Sequence, residues 1–250
     1  MAQNVGNAKN ILVGASPLFL SVNDSTTAGY ISDMEAGVTK AGTAIVSPAT
    51  KAASTKVPAF ANGVEYWKTL NTLDVNTNGG ADAAAYRNVG FTNNGLQISY
   101  QPTYDSVTVD QLLDTAKLFK SAMQVQISTE MAEGTLENIL AVFGQKSDTL
   151  TENVGTGLAQ VDSLGMEAGA LGAAPTERQL IAVGQAPTTG ASATERVYYA
   201  RRVLSVEQSQ FSLARTAATT FPVTFRLLPS GDSAHVGSEY GKIIDRILAA

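Results

Sequence analysis

Apolar and polar residues alternate with a period of two along several stretches of the chain. Each such stretch has one apolar and one more polar face, which predicts a β-strand. The stretch 195–213 is also strand-like, but both of its faces carry apolar residues. An apolar run at 11–22, broken by Gly14 and Pro17, is interpreted as a bent strand. The clearest alternation occurs at 96–100, 106–110, 119–128 and 221–228.

Two stretches have the spacing of an amphipathic helix instead. In 132–143 the apolar residues fall at i, i+3, i+4 and i+7 on one face. Glu130 and Glu133 lie at its predicted start, where the helix dipole favours negative charge. A second helix is predicted at the C-terminus, 239–248, with Ser238 as its N-cap. We expect the first helix to pack onto the β-structure through Leu136, Ile139, Leu140 and Phe143.

The order of these elements predicts the fold class. Strands, one central helix, further strands and a terminal helix favour a single mainly β domain over 1–250. We expect a β-barrel or β-sandwich with one flanking α-helix and a C-terminal helix. Two stretches without a clear period, about 37–63 and 149–176, are interpreted as long excursions from this domain. Loops of such length in a compact domain are usually functional or disordered.

Composition excludes several kinds of chemistry. The 250 residues include no Cys and a single His, His235, so thiol chemistry, disulfides and histidine-rich metal sites are excluded. The formal net charge is −5, whereas a general nucleic-acid binder carries a basic excess. No run of about 18 apolar residues occurs, so no transmembrane helix is expected. The N-terminus also lacks the pattern of a secretory signal.

The candidates for catalysis and metal binding each have a simpler structural explanation. No phosphate-binding loop, nucleophile elbow or zinc-binding helix is present. Asp232, Ser233 and His235 lie on one short loop, whereas a catalytic triad usually draws its members from separate elements. Residues 74–85 resemble a calcium loop in composition but end in Ala85 where such a loop needs Glu, so a turn is favoured. We therefore expect no enzymatic activity, no cofactor and no metal.

Basic residues are concentrated in the second half of the chain. They would form a phosphate-binding patch if they shared one surface. Arg201 and Arg202 would point to opposite faces of an extended strand, which splits the patch. Ion pairs with carboxylates such as Glu195 and Glu207 are therefore favoured. The arginines concerned are Arg196, Arg201, Arg202, Arg215 and Arg226.

Several short motifs follow one another in a recognisable order. A strand that ends in Asp110-Gln111 is followed by a long strand and then by the segment AEGTLEN at 132–138. Later come ERVYYARRVL at 195–204 and FPVTFR at 221–226. Together with NILVGASPLFL at 10–20, this order resembles the major tail protein, or tail tube protein, of long-tailed bacteriophages.

The resemblance implies a structural virion protein. In that family, subunits with a β-barrel or sandwich and a flanking helix join edge to edge into hexameric rings. The rings stack into the tail tube, the conduit for genomic DNA during ejection, and the DNA passes through the lumen without specific binding. Implied partners are further copies of the chain and the tail terminator, tape measure and tail-tip proteins. No membrane is implied, and the location is the virion tail after assembly in the host cytoplasm.

The resemblance also suggests roles for particular residues. Uncharged residues that alternate along one predicted strand line the lumen or face outward, and the sequence does not decide between the two. The excursion at 37–63 is a candidate for bridging stacked rings. Two alternatives stay open: a tube subunit of a contractile tail or type VI-like secretion system, and a β-sandwich carbohydrate-binding module on a virion, for which Trp67 is the lone tryptophan. The lumen candidates are Gln124, Gln126 and Ser128, and the bridging candidates are Thr39, Lys40, Lys51 and Lys56.

Overall fold

The described part of the chain is mainly β with a single α-helix, α1, in a computed structural model. This part comprises residues 18–21, 24–26, 72–74, 85–108, 114–156, 159–186, 194–206, 209–211, 213 and 218–247. The elements are β1 (Leu18–Ser21), β2 (Thr72–Asp74), β3 (Ala85–Asn88), β4 (Thr92–Thr108), β5 (Thr115–Met131), α1 (Leu136–Val142), β6 (Leu150–Thr156), β7 (Ala159–Leu164), β8 (Arg178–Gln185), β9 (Thr194–Ser205), β10 (Phe221–Leu227) and β11 (Gly241–Ile247).

The strands form one large antiparallel sheet and one small hairpin. The large sheet has the order β2-β3-β1-β8-β9-β10-β5-β4, and β6 pairs with β7 separately. The sheet branches at β9, because residues 194–200 pair with β11 and residues 203–205 pair with β10. The register of β9 against β8 shifts between these two parts. This β-bulge leaves Arg201 and Arg202 at the branch point, where they point into different surroundings.

The hydrophobic core lies against one face of this sheet. In β10 every second residue, from Phe221 to Leu227, is buried, and β5 contributes Val125, Ile127 and Met131. Full burial of each large apolar side chain contributes roughly 1.5–3 kcal/mol. The opposite face of β1, β8 and β9 is buried as well, through a cross-strand row of Phe19, Ile181 and Tyr199. This explains why neither face of the predicted strand at 195–213 was polar.

The predicted strands are confirmed where the structure describes them, but several of their limits differ. Of the strand predicted at 11–22, residues 18–21 form β1 and the others lie outside the described residues. Segments 96–100 and 106–110 belong to one 17-residue strand, β4, up to Thr108. Segment 119–128 lies within β5, which is also 17 residues long. β9 ends at Ser205 rather than continuing to Leu213. The alternation marked only the parts of each strand in which side-chain polarity follows the two faces cleanly.

The central helix is confirmed but is shorter than predicted. It spans Leu136–Val142, and the Thr135 side chain caps it by accepting a hydrogen bond from the Asn138 amide. Glu130 lies in β5 instead, and the Glu133 carboxylate accepts a hydrogen bond from the Phe91 amide at 2.9 Å. The prediction that these two glutamates open the helix is therefore wrong. β5 runs on to Met131 because its residues up to that point pair with β10.

The prediction of a C-terminal helix at 239–248 is wrong. Residues 241–247 form β11, which pairs with β9 over seven residues. Gly241 has φ +144°, and a Cβ atom there would overlap the Tyr199 carbonyl oxygen. Only glycine fits this close approach to β9. The isoleucines that follow it have β-branched side chains, which favour a strand paired with the edge of β9. Leu248 lies outside the described residues.

The second predicted excursion is not a plain loop. Within 149–176 the chain forms the β6–β7 hairpin, which packs beside α1. Gln145 and Glu167 exchange two hydrogen bonds through the Gln145 side-chain amide and the Glu167 main chain. Lys146 pairs with the Glu167 carboxylate at 3.1 Å. The segment is thereby fixed to the turn that follows the helix. The excursion at 37–63 lies outside the described residues.

Candidate assembly surface

β4 and β5 pair far beyond the rest of the sheet. β10 covers β5 only from Gln126 to Met131, whereas β4 pairs with β5 as far as Thr108 opposite Thr115. Residues 100–108 and 115–125 therefore form a two-stranded projection, called the arm below. At about 3.3 Å per residue, the arm extends roughly 26 Å past the point where β10 ends.

One face of the arm carries an apolar stripe that continues the core-facing side of the sheet. The register places Ile98 opposite Ile127 and Tyr100 opposite Val125. Both of these β5 partners belong to the buried core. Farther out the stripe is uncovered, so that Tyr100 is 63% exposed and Leu118 is 65% exposed. Contiguous apolar surface of this kind marks interaction sites. Lys120, opposite Tyr104, lies on the same face, with its Nζ 5.9 Å from the centroid of the Tyr100 ring. The apolar members of the stripe are Ile98, Tyr100, Pro102, Tyr104, Leu118 and Met123.

The outer edge of β4 has no partner among the described strands, because β4 is the last strand in the sheet order. An open edge presents unpaired N–H and C=O groups to another strand. Pro102, opposite Met123, has no N–H group, and proline in a sheet places its nitrogen toward an open edge. The edge therefore offers two short pairing segments on either side of Pro102.

The opposite face of the same two strands is polar and uncharged over the inner part of the arm. The lumen candidates Gln124, Gln126 and Ser128 lie together on this face and are half-exposed. The β4 residues opposite them are also uncharged: Gln101, Ser99 and Gln97. The structure thus brings the three candidates together on the side of the sheet that points away from the core. That they line a lumen stays a prediction.

A two-residue insertion in β4 shapes the inner end of this polar face. Between Asn93 and Gln97 the register shifts, and Asn94 and Gly95 both adopt positive φ, 59° and 68°. The Asn94 amide donates to the Glu130 carboxylate at 2.8 Å, and the Thr129 hydroxyl donates to the Gly95 carbonyl. These hydrogen bonds hold Asn94 in a left-handed conformation that residues other than glycine rarely adopt. Beside the insertion lies a shallow polar groove of about 240 Å³.

The predicted packing residues of α1 lie in different environments. Leu140 is buried, with 4% exposure, and Ile139 is half-buried against the core. Leu136 is half-buried as well. Phe143 follows the helix as its C-cap and is 37% exposed, with its ring stacked on Phe211 at 6.2 Å. The helix lies between β10 on one side and the β6–β7 hairpin on the other.

Most of the described arginines form ion pairs within the chain. Arg196 forms two hydrogen bonds to the Asp245 carboxylate, which lower the pKa of Asp245. Arg202 binds both carboxylate oxygens of Glu177 at 2.6 Å. These pairs favour the ion-pair interpretation over a phosphate patch, although the partners differ from Glu195 and Glu207. Sequence spacing could not identify them because they come from other strands and loops.

The loop with Asp232, Ser233 and His235 is organised around a buried arginine. Arg201 is fully buried at the branch of β9, and its Nε donates to the Ser238 carbonyl at 3.1 Å. One of its terminal nitrogens lies 3.5 Å from Nε2 of His235, which is also buried. Asp232 and Ser233 are exposed. The histidine therefore lies beside an arginine inside the fold, in the loop before β11.

Two further features of the described side chains and helices bear on metal binding and membrane insertion. No group of three or more His, Asp or Glu side chains there is arranged to hold a metal ion. None of the helices in that part of the chain is long and apolar enough to cross a membrane. The bridging candidates Thr39, Lys40, Lys51 and Lys56, together with Trp67 and Arg215, lie outside it.

Comparison with known proteins gives no independent assignment. No protein-family model matches the chain, and no curated protein matches it. The apolar stripe is the feature that sequence patterns missed, because a strand with an uncovered apolar face has the same alternation as one covered by its own core.

Proposed function

We propose that the chain is a tail tube subunit of a long-tailed bacteriophage, a structural virion protein that self-assembles. Its copies form stacked hexameric rings, and the rings form the conduit for genomic DNA during ejection. The proposed fold is the tail-tube type, a barrel or sandwich with a flanking helix. The observation that carries the proposal is the arm, because it has an uncovered apolar stripe beside an open strand edge.

The arm supports assembly between copies of this chain. Its stripe extends the sheet face that packs into the core, so an apolar surface of the same kind would cover it. β11 offers a second open edge, because it pairs only with β9 among the described strands. Contact between different edges of successive copies is head-to-tail, and such contacts close into a ring or continue as a filament. The resemblance to tail tube proteins supports the ring.

The polar face of β4 and β5 suits the wall of the channel. A wall rich in lysine and arginine would bind the phosphates of a passing duplex strongly. Gln124, Gln126 and Ser128, with Gln97 and Ser99 across the strand pair, offer hydrogen bonds without such charge. The polar face lies opposite the stripe, so one surface serves assembly while the other stays open to the channel. In this proposal DNA passes without sequence-specific binding.

The proposal also includes partners and location. The tail terminator, tape measure and tail-tip proteins would contact the ends or the inside of the tube in the virion tail, after assembly in the host cytoplasm. The excursion with Thr39, Lys40, Lys51 and Lys56 would bridge stacked rings. No enzymatic activity is part of the proposal.

The first experiment is negative-stain electron microscopy of the purified protein over a concentration series, with light scattering. We expect rings or hollow tubes of uniform width. If only monomers form, a preparation of tail-tip complexes is added, because assembly in tails can require a nucleus. Monomers that also fail to add to those complexes would contradict the proposal.

A pair of matched variants tests whether the apolar stripe makes the contact between copies. Leu118→Asp places a charge on the stripe, and Thr103→Asp places the same charge on the opposite face of the arm; both positions are exposed. We expect both variants to fold, with unchanged circular dichroism. Leu118→Asp should raise the critical concentration for assembly at least tenfold, whereas Thr103→Asp should assemble like the wild type. Equal effects of the two substitutions would rule out a specific role of the stripe.

One observation favours a second candidate, the carbohydrate-binding module. Tyr100 and Tyr104 are both exposed and share one face of β4, and exposed aromatic rings on a strand can stack on sugars. A glycan array with the wild-type protein and a Tyr100→Ala, Tyr104→Ala double variant separates the two functions. Glycan binding that the double variant loses, in a protein that does not assemble, would favour this candidate. A tube from a contractile tail or type VI-like system would show the same assembly and is distinguished by a neighbouring sheath gene.

A further inference from the structure

Arg226 differs from the other arginines whose side chains the structure describes. Arg178, Arg196 and Arg202 form ion pairs with carboxylates, and Arg201 is buried against the loop before β11. Within the described part of the chain, no hydrogen bond or ion pair joins the Arg226 side chain to another group. Its charge therefore stabilises no contact there.

The position of Arg226 places this charge on the polar face. β10 buries Phe225 and Leu227 on the core side and exposes Arg226 on the other. The register sets Arg226 opposite Gln126 of β5, one of the lumen candidates. Glu130 lies four residues along β5, about 13 Å away at 3.3 Å per residue, and its carboxylate already accepts hydrogen bonds from Asn93 and Asn94. The neighbours of Arg226 on this face of β5 are uncharged. On β9, Leu204 lies opposite Arg226, and the next residue on that face, Arg202, is paired with Glu177.

We infer that Arg226 contacts the phosphate groups of double-stranded DNA inside the assembled tube. This inference rests on the proposed function, because the polar face must surround the channel. A guanidinium donates paired N–H groups that match phosphate oxygens, and contacts to phosphate carry no sequence information. Each copy contributes one such cation, so a ring of copies presents a ring of separate contacts. One unpaired guanidinium per copy among the described residues, in a chain with net charge −5, permits weak, salt-sensitive binding rather than firm retention.

The test uses assembled protein and a short fluorescent DNA duplex that can enter the tube. Binding is measured by co-sedimentation over a series of salt concentrations for wild type, Arg226→Gln, Arg226→Lys and Lys146→Gln. Lys146→Gln removes the same charge from the half-exposed turn after α1, where Lys146 pairs with Glu167, and serves as the control for net charge. Wild type and Lys146→Gln should bind alike at low salt, with affinity falling as salt rises.

We expect Arg226→Gln assemblies to bind DNA at least tenfold more weakly and with a shallower dependence on salt. Arg226→Lys should keep most of the salt dependence, because it keeps the charge. Unchanged DNA binding by assembled Arg226→Gln would overturn this inference alone. Failure of Arg226→Gln to assemble, while Lys146→Gln assembles, would assign Arg226 to a contact between copies and overturn it too. A wild-type protein that neither assembles nor adds to tail-tip complexes would overturn the proposed function together with this inference.

Discussion

Asp24 is a buried charge at which three parts of the chain meet. Its carboxylate accepts hydrogen bonds from Thr26 and from the Ser147 amide, and Arg178 lies 3.4 Å away. Burial raises the pKa of Asp24, but the hydrogen bonds from Thr26 and Ser147 outweigh it and lower the pKa to about 2. The residue therefore ties the turn after β1 to the turn after α1 and to the start of β8.

The low pKa of Asp24 predicts a loss of stability in acid. A carboxyl with a folded pKa of about 2 and an ordinary value of 3.8 stabilises the fold fully above pH 5. That contribution, about 2 kcal/mol from the size of the shift, is lost as the pH falls from about 4 to 2. Asp24→Asn should lower the free energy of unfolding by about 3 kcal/mol at pH 7, because Arg178 then lacks its buried partner.

Urea unfolding at several pH values checks this prediction. The difference between wild type and Asp24→Asn should shrink as the pH falls below 4, since the wild-type carboxyl then becomes neutral. Asp148→Asn changes an exposed carboxylate on the neighbouring turn and serves as the control. A difference that stays constant down to pH 2 would show that the ionised form of Asp24 is not what stabilises the fold.

At the scale of elements, α1 depends on its neighbours. A helix of seven residues is too short to be stable alone, so packing must supply its stability. Its packed side contains Asn138, Leu140, Ala141 and Val142. The Asn138 side chain donates to the Val89 and Glu133 carbonyls, both at 2.9 Å, which fixes the helix to the chain segments on either side. The position of the helix is therefore set by both apolar and polar contacts.

Leu140→Asp should unfold the protein. The substitution places a carboxylate where only 4% of the side chain is exposed, and an unpaired buried charge costs several kcal/mol. Ala132→Asp adds the same charge at an exposed position just before the helix and should leave the fold intact. Circular dichroism and thermal unfolding distinguish the two variants. A folded Leu140→Asp protein would show that the helix does not need this contact.

β11 depends on the close approach of Gly241 to β9. Gly241→Ala should destabilise the protein by at least about 2 kcal/mol, because a Cβ atom would overlap the Tyr199 carbonyl and φ is +144°. Gly231→Ala is the matched control, since nothing lies within 4 Å of its Cβ position. Hydrogen exchange should show that backbone amides of β11 and of its partner residues in β9 lose protection first. Equal stability of the two variants would contradict the assigned register.

At the scale of the whole molecule, the two faces of the β4–β5 pair have opposite chemistry. One side carries the apolar stripe with Tyr104 and Leu118. The other side is polar at Gln124 and Gln126, over the inner part of the arm, and farther out it carries exposed Val107 and Phe119. The members of the stripe are half-buried or exposed, and the exposure is highest along the arm, at Tyr100 and Leu118. Exposed apolar surface beside an unpaired strand edge is typical of interaction sites, and the proposed function is based on this feature.

The sequence predicted the mainly β fold, the strands and the single central helix. These follow from local spacing, since alternation along a strand and a stripe along a helix are set by backbone geometry. The same local rule failed for 239–248, where the spacing of Tyr240, Ile243 and Ile244 suits a helix but the open edge of β9 makes a strand. The helix start failed for the same kind of reason, because pairing with β10 keeps Glu130 in β5.

By itself, the sequence determined which residues alternate, the lack of cysteine chemistry and the grouping of Gln124, Gln126 and Ser128 on one side of a strand. Only the tertiary structure decided which apolar faces are covered. Leu140 and Leu118 are the same residue type in regular elements, yet one is buried and the other is 65% exposed. Burial depends on segments that are distant in sequence, and a local pattern carries no information about where those segments lie.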